Sequence, residues 1–275
     1  MALLPRGEQV IDLRLMAGAT TSTVAAVRVE AAAGARRSLV LRWYDGPGFL
    51  EVEPDAVPRE AAALRSLAGT AVPAPRLVAA RAEDPAALLM TRVGGGVRFD
   101  PPDPGAVRAV LEAIHATSTE GLARWRYAGY HEGRRLLPPS WWRDRRSWER
   151  AVRRTETARP TAPHVVLHRD FHPGNVLWTG RRITGIVDWV NACIGPAAFD
   201  TAHFRVNLAT LHGADGVDAI LAGDPAWDLE AAFGFLDWSI RSANDTWSGP
   251  WPHVPSAIAR SRLEAFMARA VAKLG

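Results

Sequence analysis

The sequence contains very little cysteine and lysine. Only one of its 275 residues is cysteine, Cys193, so no disulfide can form within the chain, as is usual for proteins of a reducing compartment. Lys273 is the only lysine, while lysine and arginine together number 33. Any cation that neutralises a buried anion in the interior is therefore expected to be an arginine.

Long apolar runs are also missing, and none approaches the length needed to cross a membrane. The first residues lack the charged-then-apolar order of a secretory signal. We expect a cytoplasmic protein without a membrane partner. The formal net charge of +4 allows nucleic-acid binding, but carboxylates are interspersed among the arginines through most of the chain. We expect no nucleic-acid partner.

The N-terminal third is rich in predicted strands. Short apolar runs bounded by turn residues predict strands over 13–16, 24–29, 38–44 and 87–90. Pro58 predicts the first turn of a helix that Gly69 closes. Gly94-Gly95-Gly96 then interrupts the pattern and allows hinge-like backbone freedom. We predict a lobe boundary there, between residues 1–93 and 94–275.

Past this boundary the pattern is mostly helical, which makes the fold class α+β. Asp103 and Pro104 predict an N-cap and a first helical turn. A further helix is predicted from about Trp141, and three more over roughly 197–211, 226–242 and 256–273. Embedded among them, 176–178 and 183–187 predict a hairpin that turns at Thr179-Gly180.

The segment from His168 to Asn175, His-Arg-Asp-Phe-His-Pro-Gly-Asn, carries the clearest chemistry, together with Asp188. Asp170 is a fixed carboxylate that can accept the proton of an attacking hydroxyl. The amide oxygen of Asn175 and the carboxylate of Asp188 are hard ligands suited to Mg²⁺. This order of residues matches elements that protein kinases use for phosphoryl transfer. The alternative is a purely structural role, in which these residues cap turns.

The histidines around Asp170 allow another interpretation. His168, Asp170 and His172, with His164 nearby, have the alternation of a zinc site in a hydrolase. That alternative leaves Asn175, Asp188 and the strand-rich N-terminal part unexplained. We expect His168 to brace the loop through hydrogen bonds instead.

Arg42 is the candidate phosphate cation of the N-terminal part. It follows the apolar run Leu39-Val40-Leu41, so its side chain leaves a mostly buried strand. Glu60, in the first turns of the next helix, can hold such a cation in place. The alternative is a surface arginine and a glutamate favoured by the helix dipole. Between the first two predicted strands, small and hydroxyl residues over 18–23 suit an approach to phosphate oxygens.

Taken together, these segments resemble the aminoglycoside phosphotransferase-like family, which has the bilobal protein-kinase-like fold. The resemblance covers nearly the whole chain. Its most specific parts are Leu167 to Leu177 and Ile186-Val187-Asp188-Trp189, followed by Gly195-Pro196 and Asp200. The resemblance implies a small antiparallel-sheet N-lobe, a larger mainly helical C-lobe, and an Asp200 that steadies the catalytic loop.

The resemblance also implies a function. It implies that the chain transfers the γ-phosphoryl group of ATP or GTP to a hydroxyl of a small molecule such as an antibiotic, a sugar or an amino alcohol. Asp170 would be the base, and Asn175 and Asp188 would hold Mg²⁺. The implied nucleotide site comprises Arg42, Glu60, the loop residues Thr20, Thr21, Ser22 and Thr23, and the hinge residues Met90, Thr91 and Val93.

Two positions depart from the family pattern. Arg42 stands where a lysine is usual, and an arginine fork is not equivalent to an ammonium. Arg169 stands where resistance enzymes carry glycine. The first departure leaves open a second hypothesis, a catalytically weak or inactive nucleotide-binding protein of the same fold. The acceptor and the oligomeric state are not evident from the sequence.

Overall fold

The computed structural model describes residues 3–17, 22–129, 131–133, 135–157, 162–241, 251 and 253–275. The strands are β1 (Glu8–Met16), β2 (Thr23–Ala31), β3 (Arg36–Trp43), β4 (Leu77–Arg81), β5 (Ala87–Thr91), β6 (Gly96–Val97), β7 (His164–Leu167), β8 (Val176–Thr179), β9 (Arg182–Ile186) and β10 (Cys193–Pro196). The helices are α1 (Phe49–Val52), α2 (Ala56–Ser66), α3 (Pro104–His115), α4 (Arg145–Thr157), α5 (Ala198–His212), α6 (Val217–Ile220), α7 (Pro225–Arg241) and α8 (Ser256–Lys273).

The first five strands form one antiparallel sheet in the order β1-β2-β3-β5-β4. Alternation along the strands gives this sheet two apolar faces. Leu88 and Met90 point into the main core with α2, whereas Val27, Leu39 and Leu89 form a smaller cluster on the other face. The strands predicted in this part are confirmed. β4 was not predicted, because its sequence, Leu-Val-Ala-Ala-Arg, has few of the β-branched and aromatic residues that mark strands.

Helix α3 begins as the sequence predicts. The Asp103 side chain accepts a hydrogen bond from the backbone N–H of Ala106, at 3.0 Å, and Pro104 occupies the first turn. The prediction for α4 was wrong at its start. This helix begins at Arg145, because the Asp144 side chain accepts from the backbone N–H groups of Arg146 and Ser147 and caps it there.

The predicted hairpin is confirmed as β8 and β9, and it is widened by a third strand. β6 pairs with β8, with Gly96 opposite Trp178. Gly95 has a φ of +110°, and a side chain at this position would collide with Thr184 and the backbone of Trp178. Gly95 therefore serves close packing against the hairpin, and the part of the glycine triplet as a lobe boundary stays a prediction.

The helices of the second half surround the segments that bear the chemistry. α5, α7 and α8 pack on one another, and the main core runs through Phe199, Phe204 and Phe233. β7 and β10 form a two-stranded antiparallel pair that leads into the loop at His168. Within the described residues, no helix combines the length and the apolar character needed to span a bilayer.

Candidate active site

The loop between β7 and β8 is anchored by a buried aspartate of α5. Asp200 accepts hydrogen bonds from the backbone N–H groups of His168 and Arg169, at 2.9 and 2.8 Å. His168 Nε2 lies 2.9 Å from the carbonyl oxygen of Val187, and its Nδ1 accepts from the N–H of Asp170. Arg169 has a φ of +67°, a conformation uncommon outside glycine. Asp200 and His168 thus hold this loop in an unusual conformation, in agreement with the bracing roles expected for them.

Asp170 is held through both of its carboxylate oxygens. Oδ1 lies 3.2 Å from Nε2 of His203 and 3.8 Å from Nε2 of His172. Oδ2 lies 3.4 Å from the amide nitrogen of Asn175. Burial works against the charge, but His172, together with the hydrogen bond from His203, holds the pKa of Asp170 well below its usual range. The side chain remains 29 % exposed, so this ionised carboxylate can still meet a second molecule.

The amide of Asn175 is oriented by its own hydrogen bonds. Its nitrogen donates to the backbone oxygen and to Oδ2 of Asp170, and both of these atoms are acceptors. The amide oxygen must therefore point the other way, and no donor among the described residues reaches it. A free amide oxygen beside a carboxylate is a suitable ligand for Mg²⁺.

Asp188 follows β9 in a left-handed conformation, with a φ of +67°. The preceding residue, Val187, donates its N–H to the backbone oxygen of Asn175 at 3.0 Å, which places the two predicted metal ligands on adjacent segments. Oδ1 of Asp188 pairs with Nη1 of Arg42 at 2.6 Å. Its other oxygen accepts no hydrogen bond from the described residues and completes a donor set that suits a hard cation.

Arg42 is buried among partners from three segments. Nη1 contacts both carboxylate oxygens of Glu60, at 3.3 and 3.1 Å, in addition to Asp188, and Nε donates to Oγ of Ser22 at 2.9 Å. The hydroxyl of Tyr44 donates to Glu60 as well, and its ring lies 5.2 Å from the guanidinium. Burial raises the pKa of Tyr44, so its hydroxyl keeps its proton. The predicted pair of Arg42 and Glu60 is therefore formed.

The loop predicted to approach phosphate is described only in part. Thr20 and Thr21 lie outside the described residues. Ser22 touches Arg42 as stated above, whereas the hydroxyl and the N–H of Thr23 are engaged by Asp45, at 2.7 and 2.8 Å. Ser22 is thus next to the predicted phosphate cation, and Thr23 is committed to a structural contact.

The predicted hinge residues stand at the end of β5. Met90 pairs with Val40 and Leu77 in the sheet, so its backbone groups face neighbouring strands. Thr91 exchanges hydrogen bonds with Arg76 through its N–H and its hydroxyl. The N–H of Val93 donates to no described residue. Purine binding by Met90, Thr91 and Val93 stays a prediction.

The histidines predicted as alternative metal ligands do not converge. His168 binds the Val187 carbonyl and the Asp170 N–H, while Nδ1 of His172 accepts from the N–H of Gly174. His164 lies at the far end of β7. In the described part of the chain, no three His, Cys, Asp or Glu side chains are grouped to hold a metal ion. The geometry gives the zinc alternative no support.

Two residues at this site were not predicted, His203 and Tyr44. Both leave a trace in the sequence. His203 follows Asp200 by three residues, which is about one helical turn, so an Asp200 that anchors the loop carries His203 toward the loop as well. Tyr44 follows Arg42 by two residues, which is the spacing of neighbours on one face of a strand.

The comparisons with known proteins agree with this geometry. The model of the phosphotransferase enzyme family matches residues 21–224. A comparison with curated protein sequences gave no match. Among solved structures, a thermostable mutant of aminoglycoside phosphotransferase APH(4)-Ia in ternary complex with ADP and hygromycin B is similar, with a TM-score of 0.64 and 18 % identity. That match covers 95 % of this chain and 94 % of the other.

Two further similar structures have different acceptors in their names. Plasmodium vivax ethanolamine kinase matches with a TM-score of 0.58 and 13 % identity over 94 % of this chain and 84 % of its own. Spectinomycin phosphotransferase APH(9)-Ia, in complex with ADP and spectinomycin, matches with a TM-score of 0.55 and 13 % identity. That match covers 96 % of this chain and 92 % of the other. These similarities confirm the bilobal protein-kinase-like fold. The family match, which covers most of the chain, shows that the protein belongs to the phosphotransferase enzyme family.

Proposed function

We propose that this protein is a small-molecule O-phosphotransferase that moves the γ-phosphoryl group of ATP or GTP to a hydroxyl. The observation that carries the proposal is an unbroken series of contacts. Arg42 pairs with Asp188, the residue before Asp188 is bonded to Asn175, and the amide of Asn175 is bonded to Asp170. The proposed phosphate cation, the two proposed metal ligands and the proposed base are therefore adjacent to one another.

In the proposed reaction Asp170 accepts the proton of the acceptor hydroxyl. The acceptor oxygen forms a bond to the γ-phosphorus, and the bond from that phosphorus to the β,γ-bridging oxygen breaks, which releases the nucleoside diphosphate. The low pKa of Asp170 keeps the carboxylate ionised before the step. A positioned base of this kind contributes about 10² to 10⁴ in rate.

Asn175 and Asp188 would hold Mg²⁺ through the amide oxygen and the carboxylate oxygen that the described residues leave unbonded. When bound, Mg²⁺ supplies positive charge beside the phosphate oxygens. Arg42 supplies a second fixed charge, and Glu60 and Tyr44 prevent its side chain from leaving the strand face. Ser22 and the N–H of Val93 complete the protein groups proposed for the nucleotide.

The acceptor is proposed only as a hydroxyl compound of low molecular mass. The experiment is a panel that pairs ATP or GTP and Mg²⁺ with hygromycin B, spectinomycin, ethanolamine and simple sugars. Mass spectrometry would detect the phosphorylated acceptor, and nucleoside diphosphate release would be recorded. We expect transfer to at least one hydroxyl class, and absence of transfer in every combination would overturn the proposal.

Variants then test the assigned base. We expect Asp170→Asn to lower kcat by about 10² to 10⁴, while the nucleotide Kd stays within about threefold, because the amide keeps the shape but cannot take the proton. Asp215→Asn is the matched control, since Asp215 is a fully exposed carboxylate of the helical part. Normal turnover by Asp170→Asn would contradict the assigned role.

A second candidate function is nucleotide binding without transfer. The observation that favours it is the ion pair between Arg42 and Asp188, which engages a proposed metal ligand. Calorimetry with AMP-PNP, with and without Mg²⁺, separates the two. Binding with no phosphorylated product across the whole panel supports this second candidate.

A further inference from the structure

The geometry assigns a role to His203, and the inference rests on the proposed function. We propose that His203 is a positioning residue, which donates its Nε2–H to Oδ1 of Asp170 and so fixes the carboxylate that receives the acceptor proton. The distance between these two atoms is 3.2 Å. His203 moves no proton itself.

The position of His203 is set by the helix that anchors the loop. Asp200, one turn earlier on α5, accepts the N–H groups of His168 and Arg169. Asp200 therefore fixes the start of the catalytic loop, while His203 fixes its functional side chain. The ring of Phe199 stacks on the imidazole of His203, with ring centres 5.8 Å apart and planes inclined by 27°. One helical surface thus fixes both the backbone of the two residues before Asp170 and the carboxylate of Asp170.

The hydrogen bonding of the ring selects one tautomer. His203 is buried, and its Nδ1 is buried with no hydrogen-bond partner among the described residues. A proton on Nδ1 would be a buried donor without an acceptor there, which is unfavourable. The proton on Nε2 instead meets a carboxylate oxygen. The ring therefore donates through Nε2 alone, and Nε2 faces Asp170.

His172 does not duplicate this role. Its Nε2 lies 3.8 Å from Oδ1 of Asp170, which is beyond hydrogen-bond distance, and its Nδ1 caps the turn at Gly174. The amide of Asn175 reaches the opposite oxygen at 3.4 Å. The contact from His203 is therefore the shortest that a described side chain makes with the carboxylate, and lone pairs of the carboxylate remain for the acceptor hydroxyl.

Fixing this carboxylate matters because geometric error is costly in catalysis. A displacement of about 1 Å can cost roughly 10²-fold in rate. Without the bond from His203, the carboxylate of Asp170 can turn about its side-chain torsions toward the amide of Asn175 or the solvent.

Two substitutions separate the hydrogen bond from the volume of the side chain. His203→Gln keeps an amide N–H near the place of Nε2, and His203→Leu removes the donor. Both are assayed with the acceptor that the panel identifies, and with water as acceptor through phosphate release from ATP. We expect His203→Leu to lower kcat about 10- to 100-fold and His203→Gln to stay within about fivefold of the native enzyme. The nucleotide Kd should stay within about threefold in both.

The split between kcat and the nucleotide Kd supplies a readout that a merely structural role would not give. Loss of a positioning contact lowers kcat while the Kd stays in place, whereas a general loss of packing around α5 would change both. Recovery of kcat in His203→Gln, which restores the donor, then assigns the effect to the contact with Asp170.

His131→Gln is the matched control, because His131 is an equally buried histidine that contacts Glu230 and not Asp170. Nitrogen NMR of the imidazole in the native protein should show the proton of His203 on Nε2. Unchanged kcat in His203→Leu, equal losses in the Leu and Gln variants, or a proton on Nδ1 would each overturn the inference. If the native protein transfers no phosphoryl group to any acceptor or to water, the proposed function fails instead, and this role fails with it.

Discussion

Arg42 and Asp188 form an ion pair of 2.6 Å that joins β3 to the second residue after β9 across the site. The same guanidinium nitrogen contacts Glu60, so three carboxylate oxygens share one cation. An arginine presents several donors in a rigid fork, which a lysine cannot do. Arg42, which departs from the family pattern, is therefore both the proposed phosphate cation and a direct partner of a proposed metal ligand.

This pairing predicts that Mg²⁺ and nucleotide bind cooperatively. Without nucleotide, Arg42 competes with Mg²⁺ for Asp188, and a triphosphate gives Arg42 another anion to contact. We expect Mg²⁺ to tighten AMP-PNP binding about 5- to 150-fold, which corresponds to the usual range of coupling free energies. Calorimetric titrations with and without Mg²⁺ measure this factor.

The variant Arg42→Lys should retain nucleotide binding but show a smaller coupling factor, since a lysine has one donor nitrogen. It cannot contact Ser22 through one nitrogen and Asp188 and Glu60 through another, as Arg42 does. Arg28→Lys is the control, because Arg28 is an exposed arginine that pairs with Asp12 on the neighbouring strand. Equal AMP-PNP affinity with and without Mg²⁺ in the native protein would contradict the coupling.

Asp200 should contribute to the stability of the folded protein. Asp200→Ala leaves the buried N–H groups of His168 and Arg169 without their acceptor. We expect the free energy of unfolding to fall by about 3 kcal/mol, since hydrogen bonds to charged groups are among the stronger ones. Urea unfolding measures this change. A loss below about 0.5 kcal/mol would show that the loop does not depend on this carboxylate.

Arg205 lies at a buried ionic cluster away from the site. Its Nε and Nη2 contact the two oxygens of Asp228, each at 2.8 Å, and it also reaches Asp218 and the carbonyl of Leu221. Arg205→Leu leaves Asp228 buried and unpaired, so we expect a loss of about 3–5 kcal/mol in the free energy of unfolding.

The double variant Arg205→Leu with Asp228→Leu provides the control for this cluster. Replacing both members by apolar side chains removes the uncompensated charge, and we expect it to recover a large part of the loss. Thermal and urea unfolding of the two proteins compare them directly. A double variant no more stable than the single one would indicate that packing around Arg205, rather than charge, determines its contribution.

Cys193 should be chemically inert in the folded protein. Burial raises the pKa of its thiol to about 12, and the thiolate is the reactive form. We expect no reaction with an aromatic disulfide reagent at pH 8 in the native protein and one equivalent of reaction after unfolding. Rapid labelling of the native protein would show that β10 opens readily.

The sequence predicts local features of this protein better than contacts between distant segments. Asp103 and Pro104 define the start of α3, and the segment from His168 to Asn175 brings the base and the amide ligand together within eight residues. By contrast, the bond from His203 to Asp170 depends on how α5 packs against the loop. No periodicity in the chain determines that packing, and it could be inferred only after Asp200 was placed.

The features that the sequence analysis misplaced or missed also depend on contacts between segments. Tryptophans at 141 and 142 suggested an early start to α4, but the cap at Asp144 determines where the backbone becomes helical. The alanine-rich β4 has little intrinsic strand propensity and is formed by its pairing with β5. The tyrosine that steadies Glu60 was missed because an isolated Tyr44 gives no chemical pattern without its partner in α2.

The short strand β6 limits how the two halves of the molecule can move. Gly95 and Gly96 are packed against β8, and the sheet strand β5 ends only at Thr91, so few residues are left between the two attachments. We predict that any movement between the two predicted lobes is a tilt about residues 92–94. The hairpin that Asn175 and Asp188 flank would then keep its place against β6.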